Sequence, residues 1–328
     1  MNFYFGRATG VFLKTLPFVA LRIAVGVLFG IVTIVYFGIV GWLAFRLLSA
    51  GGTSAVIGAV GLLIATGLFL AGMRLARRYL LYMVAAGHIA VIAHIVDTGE
   101  APANQIRYGT QQVKDHFAEA SGLFVVDQLV KSVIKQFNNR AISFTNLVNF
   151  VPSLGKILTI LRESIALAAS YIDEAILAHM FLTEEENNWR AARDGLVLYG
   201  KTWKPVLGST IIIVLGLYAV AFAVFLALTP VANLLGGLSV VFETLSWVIV
   251  LGMTVTVYLG FLKPWVKTVV ITTFLLESAE MSPDSETMDF IADRSEKFRE
   301  LTAKADAGDE AEQPVDAPAS DFVDERPT

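Results

Sequence analysis

Four long apolar runs, arranged in two pairs, constrain the fold more than any other feature of this sequence. The first pair covers about residues 25–73 and the second about residues 205–262. Apart from Arg46 and Glu243, these runs contain no charged residue. A run of about 20 such residues matches the hydrocarbon thickness of a bilayer, and only helices or closed barrels satisfy their backbone hydrogen bonds there.

Each pair is divided by a short loop without charge, at residues 49–54 in the first and at residues 229–233 in the second. The sequence therefore predicts two transmembrane helical hairpins with four spans, in an all-α integral membrane protein. The composition agrees, because 55% of the residues are hydrophobic and only 16% are charged, against about 25% charged residues in soluble domains. The absence of cysteine excludes disulfides and thiolate metal sites.

The basic residues predict the orientation. They stand before the first and third runs and after the second and fourth, at Arg7, Lys14, Arg22, Arg74, Arg77, Arg78, Lys201, Lys204, Lys263 and Lys267. The two loops contain none, although Arg46 lies close to the first. By the positive-inside bias the loops face outward and both termini face the cytoplasm, which we expect in the inner membrane of a prokaryote.

Residues 79–96 leave a second topology open, because a further span there would invert everything that follows. No turn residue separates residue 73 from residue 79, and three arginines stand where a turn would be. One long helix that leaves the membrane near Arg74 is the simpler interpretation. The first run is longer than the apolar segment of a cleavable signal peptide, about 7–15 residues, so we expect it to remain as an anchor.

The chain divides into four segments by composition. Residues 1–96 form the first hairpin with a long helical extension, and residues 97–204 form amphipathic helices in the cytoplasm or at the interface. Residues 205–303 form the second hairpin and further interfacial helices. Residues 304–328 contain eight acidic and two basic residues, a composition typical of a disordered tail.

Within the second segment, the helical periodicity places Asp127 and Lys131 on a polar face, opposite apolar residues. Asp173 and Glu174 are likewise expected on a solvated face. Thr183, followed three residues later by Glu186, predicts a capping box at the start of a new helix.

One constellation suits a ligand. Glu243 lies within a span, where a carboxylate is costly and usually faces protein or water. At 100° per residue it shares a helix face with three further side chains, and three aromatic residues of the third run could oppose them: Trp247, Thr254, Tyr258, Tyr218, Phe222 and Phe225. Ring faces attract ammonium groups, so an organic cation is the predicted ligand. In the alternative interpretation, Glu243 reaches water or pairs with Arg46, and Tyr258 belongs to an interfacial aromatic belt.

Small residues at one-turn spacing occur in the first hairpin, at Gly26 and Gly30 and at Gly61 and Ala65. Such pairs let helix backbones approach closely. They predict packing either within the hairpin or between copies of the chain.

Other functional patterns are missing from the sequence. His88 and His94 project from different helix faces, and His116 with Glu119 supplies too few ligands for a metal. No phosphate-binding loop, catalytic triad or nucleophile elbow occurs. We therefore expect neither an enzyme nor a cofactor, a metal or a nucleic-acid partner.

Residues 116–303 resemble the C-terminal half of the choline transporter-like family. The resemblance rests on residues 122–137, 170–176, 188–196 and 273–280. It implies an organic-cation transporter fold. Members of that family have considerably more spans and a large extracellular region between early helices, which this chain lacks, and no motif here fixes a binding residue.

Two functions are therefore expected. The first is a small-solute permease for a choline-like cation, working as an oligomer. The second is a non-transporting scaffold or accessory subunit that recruits a partner through its cytoplasmic helices. Both involve the lipid bilayer and either a homo-oligomer or a membrane-protein partner.

Overall fold

A computed structural model of the chain describes residues 4–116, 120–141, 167, 170–183, 185, 187–237 and 240–312. Most of these residues are helical, and no strand occurs among them. Four helices are long and apolar enough to cross a membrane, within Leu16–Ser49, Gly52–Thr98, Asn188–Gly236 and Leu245–Ser278. The predicted all-α membrane protein is confirmed.

The first hairpin follows a short helix α1 (Phe5–Lys14) and consists of α2 (Leu16–Ser49) and α3 (Gly52–Thr98). Gly51 and Gly52 have φ angles of 70° and 55°, which glycine adopts without a steric penalty, so the chain reverses within two residues. The helix α3 continues without a break through the three arginines. Residues 79–96 are therefore its second half and not a separate span.

The second hairpin consists of α7 (Asn188–Gly236) and α8 (Val240–Val257), followed by a π-helical segment (Tyr258–Leu262) and α9 (Lys263–Ser278). The predicted turn at residues 229–233 is wrong, because α7 continues through Pro230. Pro230 lacks the amide that would bond to the Leu226 carbonyl. The Thr229 hydroxyl donates to that carbonyl instead, at 2.7 Å, and so keeps it satisfied inside the helix.

A helical domain lies at the ends of the hairpins that are remote from their turns, and we call it the basal domain. It contains α1, the second half of α3, the first part of α7, α9, and five further helices: α4 (Gln105–His116), α5 (Ala120–Ala141), α6 (170–180), α10 (Ser285–Ala292) and α11 (Glu296–Glu312). The predicted boundary between residues 204 and 205 therefore falls inside α7. A shared apolar core joins these helices through side chains such as Ile89, Val133, Ile176, Leu196 and Phe274.

The membrane part is packed differently. Only 0 to 17% of the residues in the four apolar windows are buried against other parts of the chain. Their large apolar side chains are exposed along α2, α3, α7 and α8. The hairpins therefore depend on lipid, or on other protein, to cover them.

Two glycines let α3 and α4 cross at close range. A Cβ atom on Gly109 would lie 2.5 Å from the carbonyl oxygen of Gly87 and 2.9 Å from the Phe18 ring. Because both neighbours are fixed by the packing of the core, this crossing depends on glycine at position 109.

The start of α7 corrects the predicted capping box. Its N-cap is Asn187, whose Oδ1 accepts from the amides of Trp189 and Arg190 at 3.0 and 3.2 Å. The Thr183 hydroxyl accepts a 3.4 Å bond from the Glu185 amide in the loop before the helix, and the predicted partner Glu186 lies outside the described residues. Asn187 also donates from Nδ2 to the Ala305 carbonyl at 2.9 Å, so one side chain caps α7 and attaches α11.

An Asn187→Ala variant is expected to lose about 2 kcal/mol of stability, the upper end of the range for N-cap residues, because the bond to α11 is lost as well. The matched change Thr183→Ala should leave stability nearly unchanged. Thermal unfolding of the purified protein in detergent compares the two. Equal losses would mean that Asn187 has no special capping role.

The C-terminal tail begins later than its composition predicts. Residues 304–312 belong to α11, in which Ala305 is fully buried and Asp306 pairs with Arg193 at 3.3 Å. These contacts with α7 hold the acidic segment in a helix. The predicted disorder of residues 313–328 concerns a part of the tail outside the described residues.

Candidate functional site

The structure divides the predicted ligand-lining residues into two groups. In the group nearer the hairpin turn, Trp247 is half exposed and its ring centroid lies 6.3 Å from that of Phe225. Thr254 is buried, but its hydroxyl donates to the Val250 carbonyl of its own helix at 2.9 Å. The side chain of Glu243 lies outside the described part of the chain. The predicted carboxylate–aromatic face around Glu243 therefore stays a prediction.

The second group lies at the opposite end of the hairpin. Tyr258 opens the π-helical segment and packs against a buried cluster that includes Tyr171 and Leu217. Tyr218 is on the same side of the hairpin, close enough to interact electrostatically with both tyrosines. Phe222, one turn further along α7, is 61% exposed on the outer surface. Two predicted residues, Tyr218 and Tyr258, are thus brought together with Tyr171, which was not predicted.

Tyr171 is a polar group without a described partner inside the protein. It is 1% exposed, and its hydroxyl makes no hydrogen bond with any described atom. Burial raises the pKa of the Tyr171 phenol, and the neighbouring Tyr258 and Glu174 raise it further. An unpaired buried hydroxyl costs free energy, so this position favours a hydrogen-bonding ligand or water.

Directly beside Tyr171 lies a buried group of three acids and two lysines, which we call the charge cluster: Asp127 and Lys131 of α5, Asp173 and Glu174 of α6, and Lys267 of α9. Lys131 Nζ lies 2.6 Å from Asp127 Oδ2 and 3.2 Å from Asp173 Oδ2. Lys267 Nζ lies 2.7 Å from Glu174 Oε1. The side chains of Asp127, Asp173 and Lys267 are 4, 0 and 5% exposed.

Among its described members, the charge cluster has one more carboxylate than ammonium groups, and Lys263 borders it at Glu174. Three carboxylates face two ammonium groups, which leaves a net charge of −1 if all are ionised. Asp173 Oδ1 and Glu174 Oε2 make no hydrogen bond with described atoms. Lys131 reaches Asp173 as an ion pair, without the alignment of a good hydrogen bond. A buried carboxylate in this state must gain a proton or a cation to become stable.

Burial raises the pKa of Asp173 well above its usual range, and Lys131 offsets only part of that effect. Burial also raises the pKa of Asp127. Other charged and titratable groups border the cluster. Tyr82 of α3 lies near both aspartates. Lys263 lies near Glu174 and also near Arg22.

The direction in which stability changes with pH follows from the raised pKa of Asp173 and of Asp127. Asp173 and Asp127 bind protons more tightly in the folded than in the unfolded chain. Their contribution to stability is therefore complete below the usual aspartate pKa of 3.8 and is lost as the pH rises through the raised folded values. Through this site, acidification from neutral pH is expected to stabilise the protein.

An Asp173→Asn variant is expected to lose part of that pH dependence. It should also be at least as stable as the wild type at about pH 8, because Lys131 then pairs with Asp127 alone. Thermal unfolding over a pH series measures both effects. A variant that keeps the full pH dependence, or that is less stable in alkaline buffer, would contradict this assignment.

The sequence indicated the wrong environment for the cluster. Asp127, Asp173 and Glu174 were expected on solvated faces, yet Asp127 and Asp173 are buried and Glu174 is half-buried. One signal was present in the sequence. Residues 171–178 are apolar on every side of the helix apart from the two carboxylates, which is typical of a buried helix with functional polar groups.

Three of the four small residues predicted to let helices approach closely have no near neighbour within the described chain. A Cβ atom on Gly26, Gly30 or Gly61 would meet no atom within 4 Å. Ala65 is half-buried and its carbonyl accepts from the Tyr36 hydroxyl at 2.9 Å. Within the hairpin the close approach occurs at Gly58, where a Cβ would lie 2.8 Å from Leu47 Cβ. The first hairpin therefore packs at Gly58, and the three other glycines leave open surface.

The chain matches no protein-family model, no curated protein and no solved structure. Among the described side chains, no group of three or more His, Asp or Glu is placed to hold a metal ion.

Proposed function

We propose that this protein is a membrane permease for a small organic cation, and that the cation and a proton compete for the charge cluster. The observation that carries the proposal is the charge cluster, in which three described carboxylates face two ammonium groups, beside Tyr171, which in turn lies near Tyr218 and Tyr258. Carboxylates supply the charge that an ammonium group needs, and aromatic ring faces add attraction in a desolvated site.

The competition gives the proposed permease its energy source. With a proton on Asp173, the cluster is neutral and has no need of a further cation. Loss of that proton restores the negative charge and favours the organic cation near Glu174. Two states of one site that bind different cations are the requirement for exchange transport. Buried ionisable groups of membrane proteins commonly serve such pathways.

Two further arguments support the proposal. The resemblance to the choline transporter-like family includes residues 122–137 and 170–176, which supply all of the charge cluster except Lys267. The basic residues favour a cytoplasmic basal domain, so the site would open to the inner side of a prokaryotic inner membrane. Because the four apolar windows are at most 17% buried, we propose that a second copy completes the pathway, with Gly26, Gly30 and Gly61 available for the contact.

The test is a thermal shift of the detergent-purified protein with choline and tetramethylammonium, in acidic and in alkaline buffer. A ligand that binds only the folded state adds about 2.7 kcal/mol at 100 times its dissociation constant. We expect a larger shift in alkaline buffer, where Asp173 has lost its proton. Glu174→Gln should remove the shift, and Glu286→Gln, an exposed acid of α10, should keep it. No shift in either buffer, from a protein that melts cooperatively, would overturn the proposal.

The second candidate is a non-transporting scaffold. It is favoured by the contrast between the compact core of the basal domain and the barely packed hairpins, which would then act as anchors. Uptake of choline into proteoliposomes separates the candidates. Saturable uptake that Glu174→Gln abolishes supports the permease, and uptake equal to that of protein-free vesicles supports the scaffold.

A further inference from the structure

A cavity of about 370 Å³ opens in the basal domain and shares no residue with the charge cluster. It lies where the ends of α3, α6 and α9 converge beside α1 and α7. A volume of this size lies within the range of small-molecule sites in proteins, about 300–1,000 Å³. Two of its lining residues, Arg7 and Asp97, are exposed, so that a solute can reach it from the surface.

Two opposite charges line the cavity without pairing with each other. Arg7 Nη2 donates to the Val96 carbonyl at 2.7 Å, which fixes the guanidinium at the end of α3. That bond uses one of its five N–H donors. The carboxylate of Asp97 makes no hydrogen bond or ion pair with any described residue, and it also lines the cavity. The cavity thus offers the guanidinium of Arg7, held by one hydrogen bond, and the carboxylate of Asp97, which has no hydrogen bond or ion pair with a described residue.

The remaining lining is neutral and largely apolar. Leu182, Leu198 and Leu275 form much of the wall. His179 also lines the cavity, and burial lowers the pKa of its imidazole, which is therefore neutral at physiological pH. Arg7 and Asp97 are then the two charged residues of the lining that a ligand would meet beside this apolar surface.

We propose that this cavity binds a small zwitterion of the amino-acid type with an apolar side chain. The ligand carboxylate binds the guanidinium of Arg7, and its ammonium group binds the carboxylate of Asp97. Its side chain contacts the three leucines. Arginine suits a carboxylate because its planar donors match the two oxygens. This inference rests on residues that the proposed permease site does not use, so each can fail without the other.

The experiment is isothermal titration calorimetry of the full-length protein in detergent with L-leucine, L-methionine and L-phenylalanine. Two probes isolate the charges: isopentylamine lacks the carboxylate, and 4-methylpentanoate lacks the ammonium group. We expect saturable binding of at least one amino acid. Each single-charge probe should bind at least tenfold more weakly than L-leucine.

The variants assign the site. Asp97→Asn should weaken amino-acid binding at least tenfold, and it is the safer change because Asp97 has no structural partner among the described residues. Arg7→Gln should do the same, whereas Arg107→Gln, an exposed arginine of α4, and Glu174→Gln should bind as the wild type does. Absence of binding by all three amino acids, equal binding of a single-charge probe, or unchanged binding by Asp97→Asn would each overturn the inference.

Discussion

Replacing Gly109 by alanine is expected to destabilise the basal domain by about 3 kcal/mol, the upper end of the range for overpacked sites. The added Cβ would stand 2.5 Å from the Gly87 carbonyl oxygen and 2.9 Å from that carbonyl carbon. Backbone atoms cannot turn aside as a flexible side chain can. The α3–α4 crossing must therefore widen, which moves Phe18 and the surrounding core.

Two glycines of α3, Gly87 and Gly72, provide a graded control for Gly109, which lies in α4. A Cβ on Gly87 would meet its nearest neighbour at 3.3 Å, and one on Gly72 would meet nothing within 4 Å. Gly87→Ala should cost less than Gly109→Ala, and Gly72→Ala should be neutral or slightly stabilising because alanine is the better helix former. Trp203 lies in this core, with its ring 5.9 Å from that of Phe137, so a change in the tryptophan emission of the protein reports unfolding. Equal effects of the three changes would show that the crossing is not close.

Replacing Lys131 by methionine is expected to cost about 3 kcal/mol at neutral pH. Removing one partner of a buried ion pair leaves an uncompensated charge, for a loss of 3–5 kcal/mol. The lower end applies because the Lys131 side chain is itself 40% exposed. Without its ammonium group, Asp127 and Asp173 repel each other in the core. The loss should shrink in acidic buffer, as these carboxylates take up protons.

Lys297→Met is the matched control. Lys297 lies 2.6 Å from Glu300, the same distance as Lys131 from Asp127, but both side chains of that pair are exposed. Water screens the exposed pair, so its loss should hardly change the unfolding temperature. Unfolding of both variants across a pH series tests the comparison. A Lys131→Met variant as stable as Lys297→Met would mean that the cluster is solvated.

The hairpins could be predicted from the sequence because length and apolarity alone define a span. The first turn was placed well, since Gly51 and Gly52 have no charged or bulky neighbours in the loop. The second turn was not placed well, because a proline in an apolar run need not end the helix. A hydroxyl such as that of Thr229 can donate to the carbonyl that the proline leaves without a partner. The helix start at Asn187 depends on a tertiary contact with Ala305, which no local motif reveals.

The charge cluster could not be predicted, because its side chains are buried only when the three helices α5, α6 and α9 pack together. Asp127 and Lys131 are four residues apart, which is also the spacing of an ion pair on an exposed helix surface. They are enclosed because α6 packs against them in the folded protein. The aromatic pair Tyr218 and Tyr258 was identified from the helical wheel. The structure adds Tyr171 to this pair, with Glu174 near it, and the predicted acidic neighbour Glu243 has its side chain outside the described part of the chain.

The unbroken helix α3 has a mechanical consequence. Its 47 residues, at a rise of 1.5 Å each, make a rod about 70 Å long, of which a bilayer core takes up about 30 Å. A change of about 10° in its tilt would move either end by roughly 6 Å. Helices tilt to match the thickness of the lipid around them. Because the far end of this rod, at Val91 and Ile92, is fully buried in the basal core, a change in membrane thickness that tilts α3 would strain the packing of that core.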